Sequence, residues 1–334
     1  MSRIISRKNV LQLIDSLIAA GTSVTGPVAI SGGKFFFQSL RTSDAIVLDA
    51  SVMPANSIKE LLFPQHETIC NYRHEGKELI LLDAEPLTQR HIVFGARPCD
   101  AASLPILDKV FAWDFQDRFY QQRRALATVV SLACKTADQH CFCTSVGLAP
   151  DTPNGSDAML LDIGDDFFEV RIFTEKGETL FDGKTTDSDK VGRSAEPPPI
   201  RFDAQKVETF LSENFDDPLY AESGLRCVGC GACTYLCPTC HCFDIMDEGG
   251  PMKGKRVKNW DACQQALFTH HASGHNPRND QAARQRNRIQ HKFRIYPEKF
   301  GATLCTGCGN CARGCSVSLG VRSLLEQIDR KTTD

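Results

Sequence analysis

An α/β domain over residues 1–200, followed by a mainly α-helical, cysteine-rich domain over residues 201–334, is the fold class this sequence predicts. Three observations lead there. Short apolar runs rich in β-branched residues alternate with helical segments through the first 200 residues, as buried strands and their crossover helices do. A polar stretch ending in three prolines (GKTTDSDKVGRSAEPPP, 183–199) then reads as a linker or surface loop. Beyond it the cysteines crowd into two similar motifs, at 227–242 and 305–315.

Taken in chain order, the start MSRIISRKNVLQLIDSLIAAG reads as an amphipathic helix with Ser6 as N-cap and Gly21 as its stop, not as a signal peptide, because Asp15 interrupts the apolar stretch. Strands are expected at 28–30 (VAI), 35–37 (FFF), 45–48 (AIVL), 79–82 (LILL), 91–96 (HIVFGA) and 127–133 (ATVVSLA). Between the last two, DAASLPILDKVF and QDRFYQQRRA have helical character, and Pro105 limits the first. The segment FFEVRIFTEKGETLFD (167–182) reads as a hairpin turning at Lys176-Gly177. A helix is expected over 204–215 (AQKVETFLSENF), which sets the domain boundary near 195–205.

The composition is that of a globular protein: 334 residues, 42% hydrophobic and 24% charged. No apolar run is long enough to span a membrane, so no membrane span is expected. Sixteen cysteines behind a start that does not look secretory suggest metal rather than disulfides, and with it a reducing, cytoplasmic location. The net charge of −3 is unevenly spread, since residues 251–300 hold eleven Lys and Arg against three acids. Such charge can be a solvated helix face, an offset to negatively charged metal sites, or a docking surface for an acidic partner. Nucleic acid is not an expected partner, because no aromatic-interleaved module accompanies the charge.

CVGCGACTYLCPT (227–239) and CTGCGNCARGCSV (305–317) both read C-x2-C-G-x-C-x3-C, the pattern of a [4Fe–4S] site. Closely spaced soft thiolates on one loop can reach one compact metal–sulfide core, and the interleaved glycines keep that loop tight. In two-cluster ferredoxins the fourth cysteine crosses to the other cluster. One cluster would then take Cys227, Cys230, Cys233 and Cys315, and the other Cys305, Cys308, Cys311 and Cys237. Proline follows Cys237 as in that pattern, whereas Ser316 follows Cys315. Zinc held by two C-x2-C knuckles fits the repeated three-plus-one spacing poorly. Sixty-eight positions separate Cys237 from Cys305, and the stretches WDACQQALFTHHASG and QAARQRNRIQHKF between them read as helical, so a helical dicluster ferredoxin-like domain is expected.

Eight cysteines lie outside these sets. Cys99 follows one predicted strand, Cys134 follows the next, and Cys141 and Cys143 come a few residues later. The carboxyl ends of neighbouring parallel strands meet in one crevice, so these four could converge on a further iron–sulfur cluster or a zinc ion, or be ordinary core thiols. Cys240, Cys242 and Cys263 form another group, with His241, His270, His271, His275 and His291 near in sequence; they either complete a metal site or pack around the clusters. Cys70 stands alone and reads as a buried apolar residue. No G-x-G-x-x-G or G-x-x-x-x-G-K-[ST] loop is present, and no nucleophile–base pair stands out.

FGARPCDAASLPILDKVF, CFCTSVGLAP, CVGCGACTYLCPTCHCFDI, WDACQQALFTHHASGHNPR, RQRNRIQHKF and CTGCGNCARGCSV occur in that order. Together, over roughly residues 60–320, they resemble the iron–sulfur subunits of the anaerobic sulfite reductase type and the β subunit of soluble NAD(P)-linked [NiFe] hydrogenases, the sulfhydrogenases. The resemblance implies a subunit with no substrate chemistry of its own, acting as a wire in a hetero-oligomeric complex. It would pass electrons between an FAD-containing, NAD(P)H-linked flavoprotein and a catalytic subunit of the hydrogenase or sulfite reductase type. It implies cluster ligation by the eight motif cysteines and leaves the other cysteines unassigned. The rival expectation is an iron–sulfur reductase whose extra cysteines hold a substrate-binding cluster.

Overall fold

The computed structural model describes residues 2–332. Met1, Thr333 and Asp334, at the outer ends of the two expected domains, lie outside the described residues. The strands are β1 (Ser2–Ser6), β2 (Ser23–Ile30), β3 (Lys34–Ser39), β4 (His66–Glu75), β5 (Glu78–Asp83), β6 (His91–Ala96), β7 (Ala127–Leu132), β8 (Ala158–Gly164), β9 (Phe167–Ile172), β10 (Thr186–Ser188), β11 (Phe243–Gly250) and β12 (Lys253–Trp260).

Eight of them make a mixed sheet in the order β10-β1-β9-β8-β7-β6-β2-β3. Its centre, β2-β6-β7-β8, is parallel, and both flanks are antiparallel. β6 and β7 read as continuous apolar runs because both of their faces are covered. Ile92, Phe94, Val130 and Leu132 point to one face, where the helix Arg7–Ala19 contributes Val10 and Ile14. Val93 and Val129 point to the other, against Leu104, Leu107, Phe111 and Tyr120 of the helices Ser103–Phe111 and Arg118–Leu126. The α/β architecture expected for the N-terminal region is therefore observed, as three layers. Ser6 does cap the first helix, accepting from Asn9 N at 3.1 Å, but the residues just before it form the added strand β1.

Two local expectations fail for identifiable reasons. The segment after β9 is not the second arm of a hairpin but a helix, Glu175–Phe181, capped by the Thr174 side chain. Gly177 is there for close approach: a Cβ on it would sit 2.1 Å from the Asp157 carbonyl oxygen. The hairpin lies one strand earlier, pairing β8 with β9, with Asp165 and Asp166 both at positive φ in the turn. AIVL (45–48) makes only an isolated bridge, Val28 to Ile46.

A second sheet, β11-β12-β4-β5, is antiparallel throughout. It joins strands from before and after residue 200, so the two segments interlock. At its root the buried Lys258 ammonium lies 2.7 Å from Glu67 and 2.8 Å from Asp117. The β11–β12 hairpin also means that the C-terminal region is not helical throughout. WDACQQALFTHHASG forms turns rather than a helix, because Asn276 accepts from Thr269 Oγ1 and Arg278 N and donates to the Ala266 carbonyl. Such side-chain bonds compete with the helical ladder. QAARQRNRIQHKF is helical as expected, over Gln281–Gln290, followed by a π-type turn at His291–Ile295. The helices Ala204–Glu213, Gln281–Gln290 and Val321–Lys331 share a core with Cys305, Cys311 and, from the N-terminal region, Phe142.

Candidate metal centres

The two motifs fold alike because their sequences are alike. Gly229 and Gly307 hold φ of 68° and 64°, and Gly231 and Gly309 hold 74° and 78°, values that glycine alone adopts without strain. In each copy the backbone N–H two residues on donates to the first thiol: Gly229 N to Cys227 Sγ at 3.5 Å, Gly307 N to Cys305 Sγ at 3.4 Å. A short helix then carries the third cysteine onward, Ala232–Tyr235 in one copy and Asn310–Arg313 in the other.

Two recesses form where the copies meet. One is lined by Cys227, Cys230, Cys233 and Cys315, the other by Cys237, Cys305, Cys308 and Cys311. These are the two crossed sets expected from the spacing. Among the described residues no group of three or more His, Cys, Asp or Glu side chains is arranged to hold a single metal ion. Burial pushes the Cys305 thiol up to about 12 and the Cys233 thiol up to about 11, so loading either recess with metal releases protons.

The helix Gln281–Gln290 and the turn after it supply a polar stripe that faces these thiols. Gln281, Gln285, Arg288 and Lys292 recur at intervals of three and four, which is one helical face. Gln281 Nε2 donates to Cys227 Sγ at 3.2 Å, and Gln285 Nε2 donates to Gln264, which lies against the same thiol. Lys292 Nζ donates to Cys237 Sγ at 3.4 Å and to Thr239 Oγ1 and the Leu304 carbonyl. Arg288 lines both recesses, is 3% exposed, and its Nε and Nη2 have no hydrogen-bond partner among the described residues. Burial works against charge on Arg288, but the thiols of Cys233 and Cys311 outweigh it and hold the guanidinium charged. Cationic donors aimed at a cluster offset its negative charge and raise its potential. The basic segment is thus split: Arg288 and Lys292 turn inward to the thiols, while Arg256, Arg286 and Arg294 form surface ion pairs with Asp247, Asp216 and Glu298. Nothing in composition marks Arg288 and Lys292 out; their helical spacing with Gln281 and Gln285 is the available signal.

The remaining cysteines divide three ways. Cys99, Cys134, Cys141 and Cys143 line a third recess together with Gly307 and Cys308. Cys240, Cys242 and Cys263 line none of the three. Cys240 hydrogen-bonds to Cys237, whose pKa that contact lowers, while Cys242 is raised by its hydrogen bond to Cys263. Lys59, 1% exposed, donates to the Cys240 carbonyl at 3.0 Å and packs over Trp260, fixing this loop to the N-terminal region. His241 and His291 lie with ring centroids 5.5 Å apart; burial depresses them to about 4 and about 3, which keeps both neutral. His270, His271 and His275 are exposed, and Cys70 is half-buried on β4 rather than in a core.

A repeated cradle of four thiols on left-handed glycine turns defines an iron–sulfur protein. Residues 226–319 match the 4Fe-4S dicluster domain family. The chain is 25% identical over 320 residues to Sulfhydrogenase 2 subunit beta of Pyrococcus furiosus, a match covering 91% of this chain and 92% of that one. Both matches support the iron–sulfur hydrogenase β-subunit family that the motif order resembles. No solved structure matches the chain. Among the described residues no helix is long and apolar enough to cross a membrane.

Proposed function

We propose that the chain is an electron-transfer subunit holding two [4Fe–4S] clusters, one on Cys227, Cys230, Cys233 and Cys315 and one on Cys305, Cys308, Cys311 and Cys237. Its place would be between an FAD-containing, NAD(P)H-linked flavoprotein and a catalytic redox subunit. The observation that carries this reading is the pair of four-thiol recesses sharing Arg288 as a common wall. A [4Fe–4S] cluster supplies a one-electron couple when bound. The residues hold it and set its potential. Leu319 N and Gly229 N donate to thiols of the first recess, Gly307 N and Lys292 Nζ to those of the second. The relative's printed name, a subunit of a sulfhydrogenase, supports a hetero-oligomeric complex of hydrogenase type. A cytoplasmic location is consistent with this chemistry.

The test is anaerobic purification from the native host with whatever subunits accompany the chain. NAD(P)H added to that complex is expected to produce the EPR signals of reduced clusters in this subunit. The isolated chain, given a low-potential donor, is expected to reduce neither sulfite nor a disulfide. Turnover by the isolated chain, or an EPR signal that changes when such a substrate is added, would overturn the relay reading in favour of a reductase.

A further inference from the structure

The two recesses of the dicluster domain leave one four-cysteine set unused. We propose that Cys99, Cys134, Cys141 and Cys143 hold a third [4Fe–4S] cluster, which extends the line of redox centres out of the dicluster domain to a second surface.

The parallel pairing of β6 with β7 brings the set together. Cys99 lies three residues beyond β6 in the turn Pro98–Ala101, and Cys134 lies two beyond β7, so both open at the same edge of the sheet. The loop after β7 returns Cys141 and Cys143 to that edge, with Cys143 opening the 3-10 turn Cys143–Val146. These four converge on one recess of about 20 Å³, against about 20 and 10 Å³ in the other two. Similar size and equal thiol count point to the same kind of occupant. A lone zinc ion is not matched, for no three such ligands here are arranged around a single ion.

The surroundings repeat the pattern of the other two recesses. Arg313 Nη2 donates to Cys141 Sγ at 3.3 Å and is held in place by Asp138. Arg97, 3% exposed, is fixed through Nη2 by the Asp49 carbonyl, and its Nε has no hydrogen-bond partner among the described residues.

The third recess adjoins the second through shared residues. Cys308 lines both. Phe142 N donates to the Gly307 carbonyl at 2.9 Å, and a Cβ on Gly307 would lie 2.5 Å from Cys143 Cα. On its far side the third recess shares Thr136, Ala137 and Pro198 with an open groove of about 520 Å³ between residues 135–139 and 195–201. The three recesses form a line from the exposed Cys230, past Arg288 and Cys308, to that groove. One electron enters and one leaves each centre, with no bond made or broken. The ligand set stands on its own geometry; its part in a relay rests on the function proposed above.

The experiment counts iron, acid-labile sulfide and zinc in the full chain produced anaerobically under iron-replete conditions. About twelve irons per wild-type chain are expected, and about one third fewer in the Cys99→Ser/Cys143→Ser double variant, with zinc well below one per chain in both. About eight irons in the wild type would overturn the third cluster and leave the two-cluster relay standing; fewer than about eight would sink both. A zinc ion present in the wild type and lost in the variant, or iron unchanged by the double substitution, would also overturn the proposal. If the variant fails to accumulate, the wild-type count with its Mössbauer spectrum decides the matter alone.

Discussion

The two copies of the cysteine motif share a backbone and differ in everything around it. In the first copy Cys230 is exposed, Cys227 and Cys233 are half-buried, and the flanking Leu225 and Val228 are 91% and 64% exposed. In the second copy Cys305, Cys308 and Cys311 are all buried, and the loop is pressed against residues 140–143. The local sequence therefore builds the cradle, while the rest of the chain decides whether that cradle opens to the surface or is enclosed. An apolar rim beside an exposed ligand suits contact with another subunit. A buried copy between two others suits an intermediate position.

The glycines give the strongest way to break this contrast. Gly229→Ala and Gly307→Ala both force an L-residue into the left-handed region, which costs roughly 1–2 kcal/mol. At Gly229 the new Cβ would come closest to the Gln281 side chain, at 3.3 Å, which can move, and would meet the Gln264 carbonyl at an ordinary contact distance of 3.7 Å. At Gly307 it would meet the Cys143 backbone at 2.5 Å, which cannot move without displacing the third recess. Gly307→Ala is expected to cost about 3 kcal/mol or more in all, and to lower bound iron as well as Tm. Similar Tm and iron content in the two variants would show that the second loop is no more constrained than the first.

Next in size is the crossing of the fourth ligand. If Cys315 completes the first set, adding Cys315→Ser to Cys230→Ser removes no further iron, because both disable the same cluster. Adding Cys237→Ser to Cys230→Ser removes about four more irons per chain. Ligation within each motif predicts the reverse, so iron counts on the two double variants separate the possibilities.

Much of this arrangement is legible in the sequence, and the reasons differ by element. The positions of β6 and β7 and the repeat come through because each depends on residues close in sequence; the grouping of Cys99, Cys134, Cys141 and Cys143 follows from adjacent parallel strands, and the crossed sets are read from the ferredoxin pattern. The sheet β11-β12-β4-β5 does not, since it pairs residues such as Arg73 and Lys253 that are distant in sequence, and periodicity carries no record of such pairing. Gly177 misleads because a glycine that admits a neighbouring carbonyl looks, in a sequence, like one that makes a turn. Arg288 and Lys292 read in the sequence as part of a basic segment; only the packing of their helix turns them toward the thiols.

Arg288 sharpens the comparison at a smaller scale. As the shared wall of the exposed and buried recesses, its guanidinium acts on both. Reduction adds negative charge, so a nearby fixed cation favours the reduced state. Arg288→Gln is therefore expected to lower both midpoint potentials, by about 60 mV or more for a one-electron couple, equivalent to roughly 1.4 kcal/mol. Arg288→Lys should recover part of the shift, and redox titration followed by EPR reads it. A shift confined to one signal would mean that the residue serves one recess only.

The smallest expected effect belongs to Gln281, whose amide reaches Cys227 at 3.2 Å in the half-exposed recess. Gln281→Leu removes one neutral donor from a thiolate that water can still approach, so its loss is worth the low end of the usual range, roughly 0.5 kcal/mol. The first cluster's potential should fall by a few tens of millivolts, about half or less of the Arg288→Gln shift, and the second should not move. That asymmetry follows from position: Gln281 donates to Cys227 of the first recess, whereas Arg288 borders both recesses. Equal shifts at both clusters would mean that the helix transmits the change as a unit, and that the exposed and buried recesses are less independent than their surroundings suggest.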